Sequence, residues 1–315
     1  MNLISIVFPV FNEESNLDAL YSKVKNVFNE TSSCYEFIFV DNGSTDNSLC
    51  IIKSLCETDP NVQYLSLSRN FGHQGGLFAG LTHASGDAVI TMDADLQHPP
   101  ELIPEMIALW EEGYQVVYTN KVPSKDTHFN LQRKLFYRVI SKLSGLKVNP
   151  GQSDFRLLDK KVLQILINIP EYKKFLRGTV SWLGFRQASL DFQALERNSG
   201  TSKFSYKSLL AFAVDGILSF SVAPLRMFVI AGLITATLSL SYTIIVILLV
   251  MLRSFHSIVI PPGWSTLAVA ISFFGAIQLT AIGILGEYIG RIYDQTKGRP
   301  VFIVNEASVK QNEDS

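Results

Sequence analysis

Three cysteines in 315 residues, Cys34, Cys50 and Cys56, are too few and too odd in number for a disulfide framework, and their spacing fits no zinc site. They read as reduced thiols. Neither sign of charge is in excess: 27 Lys and Arg stand against 28 Asp and Glu, a net charge of −1. That removes the broad basic field that would draw nucleic acid, so any anion site must be local. No G-x-G-x-x-G follows the first apolar run and no G-x-x-x-x-G-K-[ST] occurs, which counts against a dinucleotide dehydrogenase and a P-loop NTPase. Internal repeats and low-complexity segments are lacking. So is the basic leader of a secretory signal: residues 3–10 are apolar, interrupted by Pro9 and followed by Asn12-Glu13-Glu14, and they read as a first strand.

Charge is missing most conspicuously near the C-terminus. Residues 227–252 and 264–286 contain no charged side chain, in a chain that is 47% hydrophobic. At about 1.5 Å per residue each run exceeds the ~30 Å of a hydrocarbon core, so both are expected to be transmembrane helices. Lys203, Lys207 and Arg226 precede the first run, Arg291, Lys297 and Arg299 follow the second, and the linker 253–263 holds one Arg. This distribution places both termini on the cytoplasmic side. Just ahead, Tyr206, Leu209, Leu210, Ala213, Ile217 and Phe220 recur at helical spacing, the pattern of an amphipathic helix lying on the membrane surface. The expected organisation is a catalytic domain over 1–204, a juxtamembrane amphipathic helix over 205–225, a two-helix transmembrane hairpin over 226–290 and a cytoplasmic tail over 291–315. Beyond Asn305 the tail is polar and expected to be mobile.

The first two-thirds alternate between short apolar runs and helical patterns. Strands are expected at 3–10, 35–40, 62–68, 88–92 and 116–119, with helices near 13–29, 45–56 and 74–84. Such alternation implies an α/β fold with a mostly parallel sheet, whose ligands collect at the carboxyl ends of the strands. Three polar clusters fall at those ends: Pro9 to Glu13, Asp41 to Ser44, and Asp93-Ala94-Asp95. Two carboxylates one residue apart at the mouth of a buried strand repel each other unless a cation joins them. Oxygen ligands suit Mg²⁺ or Mn²⁺, with Gln97 as a further donor and substrate phosphates completing the shell. A solvated turn with Asx hydrogen bonds is the simpler alternative.

The segments VFPVFNEE, VDNGSTDNS, SRNFGHQGGLFAGL, MDADLQHPPE, SDFRLLD, RNSGTSKF and LGEYIGRIYDQTKGRP occur in this order. Together they resemble the polyprenyl-phosphate glycosyltransferases of the inverting family 2 type, which include bactoprenol glucosyltransferases and dolichol-phosphate mannose synthase. The resemblance implies a GT-A fold, Rossmann-like and mostly parallel, with a nucleotide-sugar donor, a divalent metal (Mg²⁺ or Mn²⁺) and a polyprenyl-phosphate acceptor. By the same resemblance, Pro9, Phe11, Glu13, Asp41, Asp93 and Ala94 would bind the nucleotide, while Asp93, Asp95 and Gln97 would hold metal and diphosphate. Asp154 would be the catalytic carboxylate, beside Asp95, and Arg197 and Lys203 would grip the acceptor phosphate.

Two departures stand out. Relatives read N-D-G-S where this chain has Asp41-Asn42-Gly43-Ser44, which leaves open which side chain faces the base, and Ser153 replaces the glycine of G-D-F-R. Because a phosphate monoester is largely a dianion at neutral pH, Asp154 is expected to orient substrate more than to act as a base, or to be paired with Arg156 or another cation. The expected reaction is one in-line displacement with inversion, moving a single sugar, from UDP by resemblance, onto undecaprenyl phosphate at the cytoplasmic face of a bacterial inner membrane. The product would be a lipid-linked sugar for cell-envelope glycans. Resemblance to the family implies a homo-oligomer, of which a tetramer is one form. A processive polysaccharide synthase would carry more spans and a Q-x-x-R-W motif, and a non-catalytic sugar-nucleotide sensor could lose Asp154 or the Arg197/Lys203 pair.

Overall fold

The computed structural model describes residues 2–29, 31, 33–122, 151–171, 174–193, 223–253 and 263–308. They divide into two compact units. The first is built on an eight-stranded sheet, and the second contains two long helices.

In the first unit β1 (Leu3–Val10), β2 (Cys34–Asp41), β3 (Val62–Leu67) and β4 (Ala88–Thr91) pair in parallel, with β1 between β2 and β4. They are joined by α1 (Leu17–Asn29), α2 (Ser48–Thr58) and α3 (Gly72–His83). Strand β1 reads as an apolar run broken only by the buried Ser5 and by Pro9, because it is covered on both faces. On one face Phe8, Phe37 and Phe39 are fully buried, with Phe8 stacked on Phe39 at 4.7 Å between centroids. Helix α1 presents Leu17, Leu20, Val24 and Phe28 to the same core, each burial contributing roughly 1.5–3 kcal/mol. On the other face α3 lies so close that a Cβ at Gly80 would meet Val7 Cγ1 at 2.2 Å, so only glycine fits there.

After α4 (Ile103–Glu111) come β5 (Val116–Lys121), β6 (Gln152–Asp159), α5 (Lys160–Asn168), α6 (Leu176–Trp182) and β7 (Gln187–Phe192). Strand β6 runs antiparallel between β4 and β5, and β7 extends the edge in parallel with β5. With β8 at Val304–Ala307, the order is β7-β5-β6-β4-β1-β2-β3-β8. Strands β6, β7 and β8 are additions to the sequence expectation, and α3 starts two residues earlier than the pattern suggested.

The last strand, β8 (Val304–Ala307), pairs antiparallel with β3. Glu306 takes hydrogen bonds from Lys53 Nζ and Tyr64 Oη at 2.7 Å each, Ser308 Oγ accepts from the Tyr64 N–H, and Phe302 packs edge-on against Phe78. This corrects the mobile tail expected after Asn305, at least through Ser308. The physical reason is the open edge of β3, whose backbone groups need partners.

The second unit holds α7 (Ala223–Arg253) and α8 (Trp264–Thr296), which cover the two uncharged runs; α8 continues past them by ten residues, where Arg291 lies 3.6 Å from Glu287. Both are long and apolar enough to cross a membrane. Their apolar side chains are outside rather than inside: Leu233 is 64% and Leu279 71% exposed.

Candidate active site

Strand order reverses between β1 and β4, and the crevice at such a switch point is where α/β sheets bind ligands. Pro9 opens it. The Val7 carbonyl takes the Met92 N–H, so Pro9, two residues on, faces the same side just past the end of β4, where its missing N–H leaves no gap in the ladder.

The loop after β1 is stitched to the loop after β2. Asn12, at φ +56°, accepts the Thr45 N–H on Oδ1 at 2.8 Å, Ser44 Oγ takes the Asn12 N–H, and Ser48 Oγ takes that of Glu13. Gly43 supplies a φ of +74° with Arg69 backbone 2.8 Å from where its Cβ would be. Phe11 is left 43% exposed at the rim, an apolar plate beside polar loops. Asp41 is 2% exposed; Oδ1 accepts the Ser44 N–H at 3.0 Å and Oδ2 the Ser66 hydroxyl at 3.2 Å. A carboxylate has about four lone-pair sites, so Asp41 keeps acceptor capacity. Asn42 is spent on the fold: Oδ1 takes the Phe71 N–H at 2.9 Å and Nδ2 donates to Gly72 O at 2.9 Å, clamping the start of α3.

Beyond β4, Ala94 and Leu96 plug into the core and leave Asp93, Asp95 and Gln97 half-buried at the crevice. Leu96 takes φ +61°, and Asp95 Oδ1 accepts the Gln97 N–H at 3.2 Å. Asp93 Oδ1 lies 2.7 Å from His73 Nε2 at the start of α3. Burial alone would raise the Asp93 pKa, but the hydrogen bond from His73 and the charges of His98 and His73 outweigh it and hold it below the ordinary value.

Asp154 joins this edge from β6, because Thr91 pairs with Arg156 and the strand runs on past the end of β4. Its carboxylate is met twice by Arg177 of α6, Nε at 2.8 Å and Nη2 at 2.7 Å, and once by Arg156 Nη2 at 3.1 Å. The Thr91 hydroxyl donates to its carbonyl. Burial again pushes upward, yet the two guanidiniums hold the Asp154 pKa far below the usual carboxylate range. A carboxylate so paired is an orienting anion and a poor base. Arg177 keeps 30% of its side chain exposed, so it can also face a ligand.

Pro9, Phe11, Glu13, Asp41, Asp93, Ala94, Asp95, Gln97 and Asp154 therefore lie along one sheet edge, as strand ends dictate. Arg197, Lys203 and most of the segment 205–225, expected to be an amphipathic helix, lie outside the described residues. Sequence reasoning gave no role to His73, His98 or Arg177. His73 sits in a quoted motif, whereas nothing local marks Arg177, 23 residues from its partner. Among the described residues no group of three or more His, Cys, Asp and Glu could hold a metal by itself.

A family profile described as Glycosyl transferase family 2 matches residues 5–177. The chain belongs to this family. It is a glycosyltransferase with a GT-A-like α/β fold. It is 41% identical over 305 residues to the glycosyltransferase YkcC of Bacillus subtilis, covering 96% of this chain and 93% of that one. To the SfII prophage-derived bactoprenol glucosyl transferase of Shigella flexneri it is 39% identical over 307 residues, covering 96% and 98%. Glucosyl-3-phosphoglycerate synthase from Mycobacterium tuberculosis, solved with Mn²⁺, UDP and phosphoglyceric acid, matches with a TM-score of 0.46 at 21% identity, over 69% of this chain and 76% of that one. That likeness is too slight to carry a donor or a metal across.

Proposed function

We propose that the chain transfers a single sugar from a nucleotide-sugar donor, UDP-linked, to undecaprenyl phosphate, with inversion, at the cytoplasmic face of a bacterial plasma membrane. The observation that carries the reading is the meeting of half-buried Asp93 and Asp95 with the Asp154–Arg177 pair on one edge, in a chain similar along its length to a bactoprenol glucosyl transferase. The exposed apolar faces of α7 and α8 fit a lipid environment better than a protein core. We assign 226–290 to the membrane, with the catalytic domain and both termini cytoplasmic.

In this reading Phe11 supports the base and Asp41 and Glu13 hold the nucleoside at the β1 and β2 ends. Asp93, Asp95 and Gln97 would hold Mg²⁺ or Mn²⁺, since all three offer oxygen donors at the crevice, which suit a hard cation that also takes substrate phosphates. When bound, the metal supplies charge stabilisation to the departing nucleoside diphosphate. Asp154, held ionised, fixes Arg177 toward the crevice, while Arg197 and Lys203 would hold the lipid phosphate. Most of the rate then comes from positioning and preorganised charge.

The test is a transfer assay with purified enzyme, undecaprenyl phosphate and a panel of nucleotide sugars. One sugar per organic-extractable lipid is expected. Long polymer would point to a processive synthase, and binding without turnover to a sensor.

A further inference from the structure

His98 and Ser153 meet at the seam between β4 and β6, and glycosyl transfer as described above leaves both without a role. The His98 ring is buried, its side chain 7% exposed, stacked on Phe155 of β6 (centroids 5.2 Å apart, planes at 21°) and edge-on to Phe192 of β7. A ring in an aromatic slot needs no polar partner to fill space. This one has a directional partner at each nitrogen. The Asp93 backbone N–H points at Nδ1 (3.1 Å), and Nε2 lies 2.8 Å from Ser153 Oγ. Since a backbone N–H can only donate, Nδ1 must carry the lone pair, so the neutral ring bears its proton on Nε2 and donates it to the serine.

We propose that His98 and Ser153 are a positioning pair that fixes the Asp93–Asp95 turn against the Asp154–Arg177 pair. The proposal rests on the functional reading above. One bond of the ring orients the peptide that begins the metal-binding turn; the other ends on the residue just before Asp154. Ser153 also accepts the Phe155 N–H on Oγ (3.3 Å), and its carbonyl takes Arg156 Nη2 (2.9 Å), so a shift at Ser153 moves the whole Asp154 cluster. His98 Nε2 also lies 3.8 Å from Asp93 Oδ2, beyond hydrogen-bond reach, so the ring acts on the turn through the Asp93 N–H and on Asp154 through Ser153. Its contribution is the separation between donor site and oriented arginine, to which transfer rates are steeply sensitive. Ser153 stands where the G-D-F-R motif has glycine, so the hydroxyl serves this chain's histidine rather than the motif.

The experiment is a double-mutant cycle in the full-length detergent-solubilised enzyme, combined with ¹⁵N NMR of its imidazoles. Ser153→Ala removes the acceptor and should lower kcat by about tenfold, with donor KM changed by less than about threefold. Ser153→Thr should restore most of the loss. His98→Asn can keep an acceptor near the Asp93 N–H but no longer reaches Ser153, and should match Ser153→Ala. The double variant should be no slower than either single one, because both remove the same bond. Losses that multiply, a Ser153→Ala variant within twofold of wild type, or a loss that appears only as lowered thermal stability would each overturn the proposal. The NMR arm does not depend on turnover: the neutral His98 ring should be the Nε2–H tautomer, and an Nδ1–H tautomer would refute the pair. Wild type without transfer to any lipid acceptor would instead refute the functional reading.

Discussion

Buried carboxylates sit at both ends of the same sheet, and they are partnered differently. At the amino ends of the strands, Asp59 accepts from Lys25 Nζ (2.9 Å), Tyr21 Oη (2.8 Å), Tyr35 Oη (3.0 Å) and the Asn61 N–H (3.0 Å). Nearby, Glu36 takes Ser5 Oγ, Ser85 Oγ, the Ser85 N–H and Gln63 Nε2. Those donors come from several elements and leave little acceptor capacity, so these acids tie helices to strands. At the carboxyl ends, Asp93 keeps 32% of its side chain exposed and rests on a histidine, and Asp154 is held by an arginine that itself reaches solvent. At the amino ends saturated carboxylates hold the fold; at the carboxyl ends Asp93 is itself partly open and the buried Asp154 reaches the surface only through Arg177, which leaves that edge poised for a ligand. Charge at both ends is costly to bury, but only one end leaves a valence for substrate.

That contrast is broken most directly at Asp95. Asp95→Asn should lower turnover by about two to three orders of magnitude and weaken nucleotide-sugar binding in calorimetry, with thermal unfolding nearly unchanged. Excess EDTA should reproduce the loss in wild type; full activity in the chelator would remove the metal from the reading. Asp154→Asn should hurt both function and fold. It leaves two guanidiniums without their counter-charge, which costs roughly 3–5 kcal/mol for a buried pair, to be read in denaturant titration beside the kinetic loss.

At the opposite end the effects should fall on stability alone. Burial would raise the Asp59 pKa, but Lys25, the Asn61 N–H and the two tyrosyl hydroxyls outweigh it and lower it to about 2. Against an unfolded value of ~3.9 this contributes roughly 2–3 kcal/mol, fully present above about pH 4 and lost as pH falls through about 2. Asp59→Ala should therefore lower stability at neutral pH and flatten its acid dependence, while turnover per folded molecule stays at the wild-type level. A kinetic defect there would erase the distinction between the two ends. The smallest effect is expected at Lys53→Ala, whose exposed pair with Glu306 should leave the unfolding transition where it is, since solvent screens such pairs.

The amino-acid sequence by itself determined the parallel half of the sheet, because strands covered on both faces must be continuous apolar runs, and it determined the two long apolar helices for the same reason of solvent exclusion. Strand ends then located Asp41, Asp93 and Asp95 without knowledge of any contact. Tertiary structure alone decided the rest. Strand β6 was hidden because Asp154 and Arg156 interrupt its apolar pattern, and their mutual neutralisation with Arg177 exists only once α6 folds back over the strand. Strand β8 was hidden because a short half-exposed segment becomes a strand only when the open edge of β3 is there to pair with it. His73 with Asp93, 20 residues apart, and His98 with Ser153, 55 apart, follow no helical or strand period. Which nitrogen meets which oxygen is set by the crossing of distant elements, and local patterning, which reports only a segment's own exposed and buried faces, carries no trace of it.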